Sequence, residues 1–271
     1  MSSRRDAQRG ASGIVVFGRH PVEAALDSQG VQVEGVAVLR SRPGPERDRL
    51  RKRCEAHGVP FEEIARSAMD ALTGAPRHDQ GIAARVRLSR VGGLDAVVAA
   101  SRGRGARRPV RLLALDGVTN SQNVGMVVRS LVAAGFDGLL WPRVGQPWIN
   151  GLVVRAAVGA IFECPIVLCD ALPDGLGRLQ GAGFRVLGLA AGAVTTLFAS
   201  QPPHRAVYVL GSESQGLSGE VEALLDERLS IPMQSGVESL NVAVAAGLVC
   251  YHATGAWRTG AGDAAIGAEN A

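Results

Sequence analysis

The chain has 271 residues, 46% of them hydrophobic, with 29 basic against 25 acidic side chains and a net charge of +4. That length holds one large or two modest domains. No apolar run approaches the roughly 18 residues of a membrane helix, and the charged start Met1 to Arg9 has no signal-length apolar stretch behind it, so a soluble cytoplasmic protein is expected. The four cysteines (Cys54, Cys164, Cys169, Cys250) form no Cys-x-x-Cys pair and have no histidines at zinc spacing. They read as buried thiols in a reducing compartment, with no metal site.

Residues 1–12 read as a disordered tail, and 13–88 as a small α/β unit. In that unit Ile14 to Phe17 is a predicted strand and His20 to Ser28 a helix with Pro21 near its first turn. Val36 to Leu39 is a strand, and Glu46 to His57 is a charged helix stopped by Gly58. Pro60 to Ile64 and Gly81 to Leu88 complete the strands. Residues 89–109, with Gly92-Gly93, a short helix from Leu94 to Ala100 and a Gly/Arg stretch, read as the join between domains. From 110 to 257 apolar strands alternate with helices. The strands are Arg111 to Leu115, Gly138 to Trp141, Pro165 to Leu168, Arg185 to Leu189 and Ala206 to Leu210. Unbroken apolar strands between helices imply a mostly parallel sheet covered on both faces. Residues 258–271 carry no periodicity and read as a second disordered tail.

Lys52 is the only lysine, and the arginines cluster at Arg4-Arg5, Arg40 to Arg53 and Arg102 to Arg108. Such clusters suit an RNA partner through phosphate neutralisation, although each alone is more often a solvated face or a linker.

Three polar segments sit at the ends of predicted strands or the starts of helices, where open α/β sheets place ligands. The first, Asp116 to Arg129, puts Asn123 and Arg129 on the opening turns of an otherwise apolar helix. A guanidinium there calls for an anion such as a phosphate. The second is Leu210-Gly211-Ser212-Glu213-Ser214-Gln215-Gly216-Leu217, whose glycines either let backbone approach a ligand or simply make a tight strand-to-helix turn; Ser218 is the expected cap of the helix that follows. The third runs from the strand Leu229 to Ile231 into a helix expected to start near Ser239, its predicted N-cap, with Asn241 in the first turn. The helix beyond it is so apolar that it must be covered on all sides, by its own domain or by a second subunit. No Gly-x-Gly-x-x-Gly follows a first strand and no Gly-Lys-Ser/Thr occurs, which argues against nicotinamide and ATP sites.

In order, spacing and residue types the three segments resemble the motifs of the SpoU (TrmH-type) branch of the SPOUT RNA methyltransferases. Phe17 to Leu26 and Gln80 to Ala84 are similar to that family's small N-terminal substrate-binding domain, so the resemblance spans about 14 to 256. It implies an L30e-like α/β substrate domain followed by a SPOUT α/β-knot domain whose C-terminal part threads a trefoil knot. It also implies a homodimer and methylation of a ribose 2′-hydroxyl with S-adenosyl-L-methionine. The N-terminal domain points to large-subunit (23S-type) rRNA. The alternatives are the same chemistry on tRNA, or a catalytically silent RNA-binding or assembly protein.

Carried over by residue, the cofactor would lie against Leu210, Gly211, Ile231, Met233 and Leu240. The catalytic set would be Arg129, Asn123, Glu213, Ser239 and Asn241. A free guanidinium is too basic to serve as an unaided general base. The resemblance therefore implies that Arg129 acts with a phosphate of the target nucleotide to activate the hydroxyl, while Glu213 orients Asn or Arg side chains. Arg19, His20, Arg102, Arg104, Arg107 and Arg108 are the candidate RNA contacts. The chain departs from the family at Asn120-Ser121-Gln122, where many members have Asp-Pro-x, at Ser212 in place of Asn or Ala, and at Ala157 in place of Ser.

Overall fold

The computed structural model describes residues 13–102, 108–144 and 149–256; both expected tails lie outside these. In chain order the elements are β1 (Gly13–Phe17), α1 (Arg19–Asp27), β2 (Val31–Leu39), α2 (Gly44–Ala56), β3 (Phe61–Ile64), α3 (Arg66–Thr73) and β4 (Ile82–Leu88). Next come β5 (Val91–Gly93), α4 (Leu94–Arg102), β6 (Val110–Asp116), α5 (Ser121–Ala133), β7 (Gly138–Pro142), α6 (Gly151–Ala157) and β8 (Ile166–Cys169). Then follow α7 (Leu172–Gln180), β9 (Arg185–Leu189), β10 (Thr195–Thr196), β11 (Arg205–Gly211), α8 (Gly219–Glu222), β12 (Glu227–Ser230) and α9 (Val242–Thr254).

The described residues divide into two compact units. The first holds 13–91 together with 149–164, a segment that the sequence reading had placed in the second domain. Its four strands lie in the order β1-β4-β2-β3, antiparallel except for the parallel pair β2 and β3. Along β4, Val86 and Leu88 point inward, while Arg85 and Arg87 point outward to Glu62 and Glu34, as the period of two requires. Phe17, Ala37, Met69 and Ala83 form a small core. Helix α6 is seated by Gly151, where an added Cβ would overlap the Phe17 ring. Helix α3, only eight residues long, was not anticipated. It brings Arg66 to Asp79, whose side chain is only 1% exposed. Burial alone would raise the Asp79 carboxyl, but hydrogen bonds from Arg66, the Gly81 N–H and Thr73 hold it below the usual carboxylate range.

The second unit is an eight-stranded sheet in the order β10-β12-β9-β11-β6-β7-β8-β5. The pairings from β10 through β8 are all parallel. Leu112, Ala114, Val207 and Val209 pack with Leu176 and Leu179 of α7 and Val221 of α8 on one face. The alternate positions Leu113, Leu115 and Tyr208 face the other side, where α5 and α9 pack against each other and against β7 and β11. Both faces are thus covered, as the unbroken apolar strands required. Helix α9 was expected to be covered all round. Within one chain it buries Val242, Ala246, Val249 and Cys250 but leaves Val244 52% and Tyr251 39% exposed.

Candidate active site

The site lies at the C-terminal ends of β6, β9, β11 and β12, the usual ligand edge of a parallel sheet. At Gly211 the chain leaves β11 and doubles back in a tight turn. Ser212 N–H donates to the Gly216 carbonyl (3.1 Å), and Gly216 N–H donates to the Ser212 carbonyl (2.9 Å). The turn lies so close on the strand end that a Cβ on Gly211 would overlap the Gly216 carbonyl. Asp116, at the end of β6, accepts the Ser218 N–H at 2.6 Å and anchors the exit of the turn. Ser218 stands at the N-cap of α8 as expected, but its side chain makes no capping bond. On the other side Ser230 donates to the Ala193 carbonyl at 2.9 Å, tying the loop after β9 to β12.

These loops enclose a cavity of about 690 Å³, well within the range of small-molecule sites. Leu210, Gly211, Ile231, Met233 and Leu240, the five expected cofactor contacts, all line it, as do Glu213 and Ser239. The loop Ala190–Gly192 also lines it, as does an ion pair between Arg228 and Glu222 at 3.2 Å. The sequence reading missed these. The loop was legible in principle, since it follows the C-terminal end of a parallel strand; the ion pair spans only six residues, but no motif marked either side chain.

Beside the cavity the three motif segments are joined by one polar node. Asn123 donates to Glu213 Oε1 at 2.6 Å, and Asn241 donates to Asn123 Oδ1 at 3.1 Å and to Glu213 Oε1 at 3.4 Å. Asn123 is only 8% exposed. It is aimed by the start of α5, where the Asn120 side chain caps Gln122 N–H and Asn123 N–H at 2.9 and 3.3 Å. The expected cap of α9 is corrected. Asn241, not Ser239, is the N-cap and accepts the Ala243 N–H at 2.9 Å. Pro232 and the left-handed Gly236 (φ 73°) lie in the irregular loop after β12, so the helix begins only at Val242.

Arg129 stands apart from this node. It is exposed on α5, about 9 Å further along the helix than Asn123 at 1.5 Å per residue. Among the described residues it makes no ion pair or hydrogen bond, and it does not line the cavity. Of the candidate RNA contacts, Arg19 pairs with Glu23 at 3.1 Å, His20 is exposed and Arg108 pairs with Asp137. Arg104, Arg107 and the side chain of Arg102 lie outside the described residues. Burial pushes the thiols of Cys164 and Cys169 up to about 12 and about 11, which disfavours thiolate chemistry. Among the described residues no group of side chains has metal-ligating geometry, and no helix is long and apolar enough to cross a membrane.

Comparison with known proteins agrees with this layout. Residues 111–251 match the SpoU rRNA Methylase family, and residues 15–91 match a domain described as RNA 2'-O ribose methyltransferase substrate binding. The chain is 35% identical over 247 residues to an uncharacterized tRNA/rRNA methyltransferase of Mycobacterium avium, covering 91% of this chain and 78% of that one. It is 31% identical to the 23S rRNA (guanosine-2'-O-)-methyltransferase RlmB of Salmonella typhimurium, over 88% of this chain and 97% of the relative. Among solved structures, the SpoU methyltransferase AviRb of Streptomyces viridochromogenes, in complex with AdoMet, has the same fold. Its TM-score is 0.69 at 22% identity, with 96% of each chain covered. An AdoMet-bound rRNA methyltransferase from Sinorhizobium meliloti gives 0.66 at 20% identity, over 92% of this chain and 90% of that one. The chain belongs to the SpoU rRNA methylase family.

Proposed function

We propose that this protein methylates a ribose 2′-hydroxyl of 23S-type rRNA with S-adenosyl-L-methionine as donor. The observation that carries the reading is the glycine-lined cavity at the strand ends, with the Asn123–Glu213–Asn241 node at its side. The rRNA assignment rests on the relative named as a 23S rRNA guanosine-2'-O methyltransferase and on the match to the substrate-binding domain. The cavity fits the cofactor in volume and in its backbone-rich wall at Gly211, where no side chain could stand. When bound, the cofactor supplies a methyl group already activated on a sulfonium, so positioning the acceptor can supply most of the acceleration.

In this reading Leu210, Gly211, Ile231, Met233 and Leu240 hold the cofactor. Glu213 and the two asparagines fix the turn that borders it, and Ser239 presents a hydroxyl at the cavity wall. Arg129 neutralises a phosphate of the target nucleotide and favours loss of the 2′-hydroxyl proton. Because Arg129 does not line the cavity of its own chain, we assign the working enzyme to a homodimer. In it the exposed faces of α5 and α9, with Met126, Val244 and Tyr251, are covered by a second copy, and the arginine completes a site at the interface.

Incubation with rRNA and methyl-labelled S-adenosylmethionine, followed by digestion to nucleosides, tests the reaction. Label is expected on ribose; label on a base overturns the mechanism. A parallel assay on tRNA decides between substrates, since the Mycobacterium relative's name spans both. Arg129→Ala is expected to abolish transfer while cofactor titration stays unchanged, and sedimentation is expected to give a dimer.

A further inference from the structure

The first unit carries a second candidate binding surface, formed by loops that one residue gathers together. Gln80, in the left-handed region at φ 53°, accepts the Arg19 N–H on its side chain at 2.9 Å and an Arg42 guanidinium N–H on its carbonyl. Gly18 N–H donates to the Ile82 carbonyl (2.9 Å) and Leu39 N–H donates to the Gly81 carbonyl (3.0 Å). Buried Asp79 holds the Gly81 N–H at 2.7 Å. The loops around residues 18–20, 39–42 and 75–81 thus form one edge of the unit, where β1 and β2 end and β4 begins. Arg155 of α6 joins it, with its guanidinium 3.4 Å from His78 Nδ1. Helix α6 lies within the span matched by the methylase family, yet it packs in the unit that matches the substrate-binding domain.

Most arginines of this unit are neutralised. Arg19 pairs with Glu23, Arg42 with Glu46, Arg47 and Arg51 with Glu63, Arg53 with Asp27, and Arg66 with Asp79. On or next to the strands, Arg85, Arg87 and Arg90 have Glu62, Glu34 and Glu163. Among the described residues of the unit, Arg40, Arg49, Arg77 and Arg155 have no carboxylate partner. Three of these four, all exposed, stand on this edge beside exposed His20 and His78, while Arg49 lies on α2. Arg40 donates to the Glu63 carbonyl at 3.2 Å and Arg155 contacts His78, but none of the three guanidiniums has a carboxylate, so an RNA backbone can supply the missing anions.

We propose that this edge, completed by Arg155, grips the phosphate backbone of the RNA substrate. The inference rests on the reading that the protein acts on RNA. Its test is binding of a 23S rRNA transcript by the full-length protein without cofactor, over a series of salt concentrations. Each lost phosphate contact removes about 0.7 to 0.9 from the slope of log K against log salt. The triple variant Arg40→Ala, Arg77→Ala, Arg155→Ala is expected to lose about two units of slope, and its KM for RNA should rise at least about tenfold with kcat little changed. Arg49→Ala, the same charge loss elsewhere on the unit, should leave the slope near wild type, and Arg155→Lys should retain most of it. A wild-type slope in the triple variant overturns the proposal. So does a loss in Arg49→Ala equal to that in Arg155→Ala. Cofactor titration checks that the variants are folded. If the wild type binds the transcript but transfers no methyl, the enzymatic reading fails while the edge still stands or falls on the slopes.

Discussion

The strand-end cavity of the second unit and the arginine edge of the first present two opposite kinds of recognition surface. Around the cavity the backbone is brought close at Gly211 and fixed by hydrogen bonds accepted by Asp116 and Glu213 and donated by Ser230. On the edge the recognition groups are long, exposed, charged side chains on loops held together by Gln80 and Asp79. A surface of the first kind selects by shape and is nearly blind to salt. One of the second kind draws affinity from charge and is screened over about 8 Å at physiological ionic strength. Variants that harm one surface should therefore spare the other, and salt should tell them apart.

The largest effect is expected from Gly211→Ala. The new methyl group would overlap the Gly216 carbonyl, so the turn must open or the strand end must move. Overpacking of this kind costs about 1–3 kcal/mol in stability, and here it also displaces the cavity wall. Calorimetric titration should show cofactor affinity falling by about 100-fold or more, with RNA affinity and its salt slope unchanged. Equal loss of RNA binding would mean that the two surfaces are not separate.

Glu213→Gln comes next. The carboxylate accepts hydrogen bonds from Asn123 and Asn241, and bonds to a charged group contribute about 1.5–3 kcal/mol each. Methyl transfer should fall about 10- to 100-fold. The defect should be the same at low and high salt. A defect rescued by lowering salt would instead assign Glu213 to an electrostatic role toward RNA.

How much of this was legible in the sequence differs between the two regions for the same physical reason. The cavity is built where strands end, and apolar strands followed by Gly, Ser and Asn mark those ends in one dimension, so the three segments could be located from the sequence, while the five wall residues within them came from the family resemblance. What could not be read was contact made only by folding. Whether an arginine is neutralised depends on a carboxylate that is often far along the chain, as with Arg53 and Asp27 or Arg66 and Asp79. Arg19 was therefore named as an RNA contact although Glu23 neutralises it, while Arg77, which has no carboxylate partner among the described residues, went unnamed. The seating of α6 on β1 depends on Gly151 meeting Phe17, a fit between residues 134 apart that no local pattern records. The N-cap of α9 was misplaced by two residues because Ser239 and Asn241 both suit that position by type, and the loop after β12 decided between them.

The scaffold of the edge gives the third test. Asp79 is buried and its carboxyl is held below the normal range, chiefly by Arg66, so its contribution to stability is present above the unfolded carboxylate value near pH 4 and is lost as pH falls through the folded value. Asp79→Asn should cost about 2 kcal/mol near neutral pH, less than a fully buried pair because Arg66 is 43% exposed. It should also flatten the dependence of stability on pH below about 4. Chemical denaturation across pH checks both. RNA binding should weaken with the loosened edge while cofactor affinity holds. A variant as acid-sensitive as the wild type would remove Asp79 from that role.

The smallest effect concerns Asn120, where the family resemblance implies that many members carry aspartate. The side chain of Asn120 caps α5 and thereby aims Asn123 at Glu213. An aspartate would make the same cap and add a favourable charge at the helix N-terminus. Asn120→Asp should therefore change stability by no more than about 0.5 kcal/mol and leave methyl transfer near wild type. Asn120→Ala removes the cap and should cost about 1 kcal/mol, with a fall in transfer of a few-fold because the Asn123 amide is less well held. The pair distinguishes capping from a direct role. If Asn120→Asp is as impaired as Asn120→Ala, the asparagine amide itself takes part at the site. If only the alanine variant suffers, the departure is a conservative exchange of one cap for another, and the cavity tolerates it because what it requires at that point is the placement of Asn123.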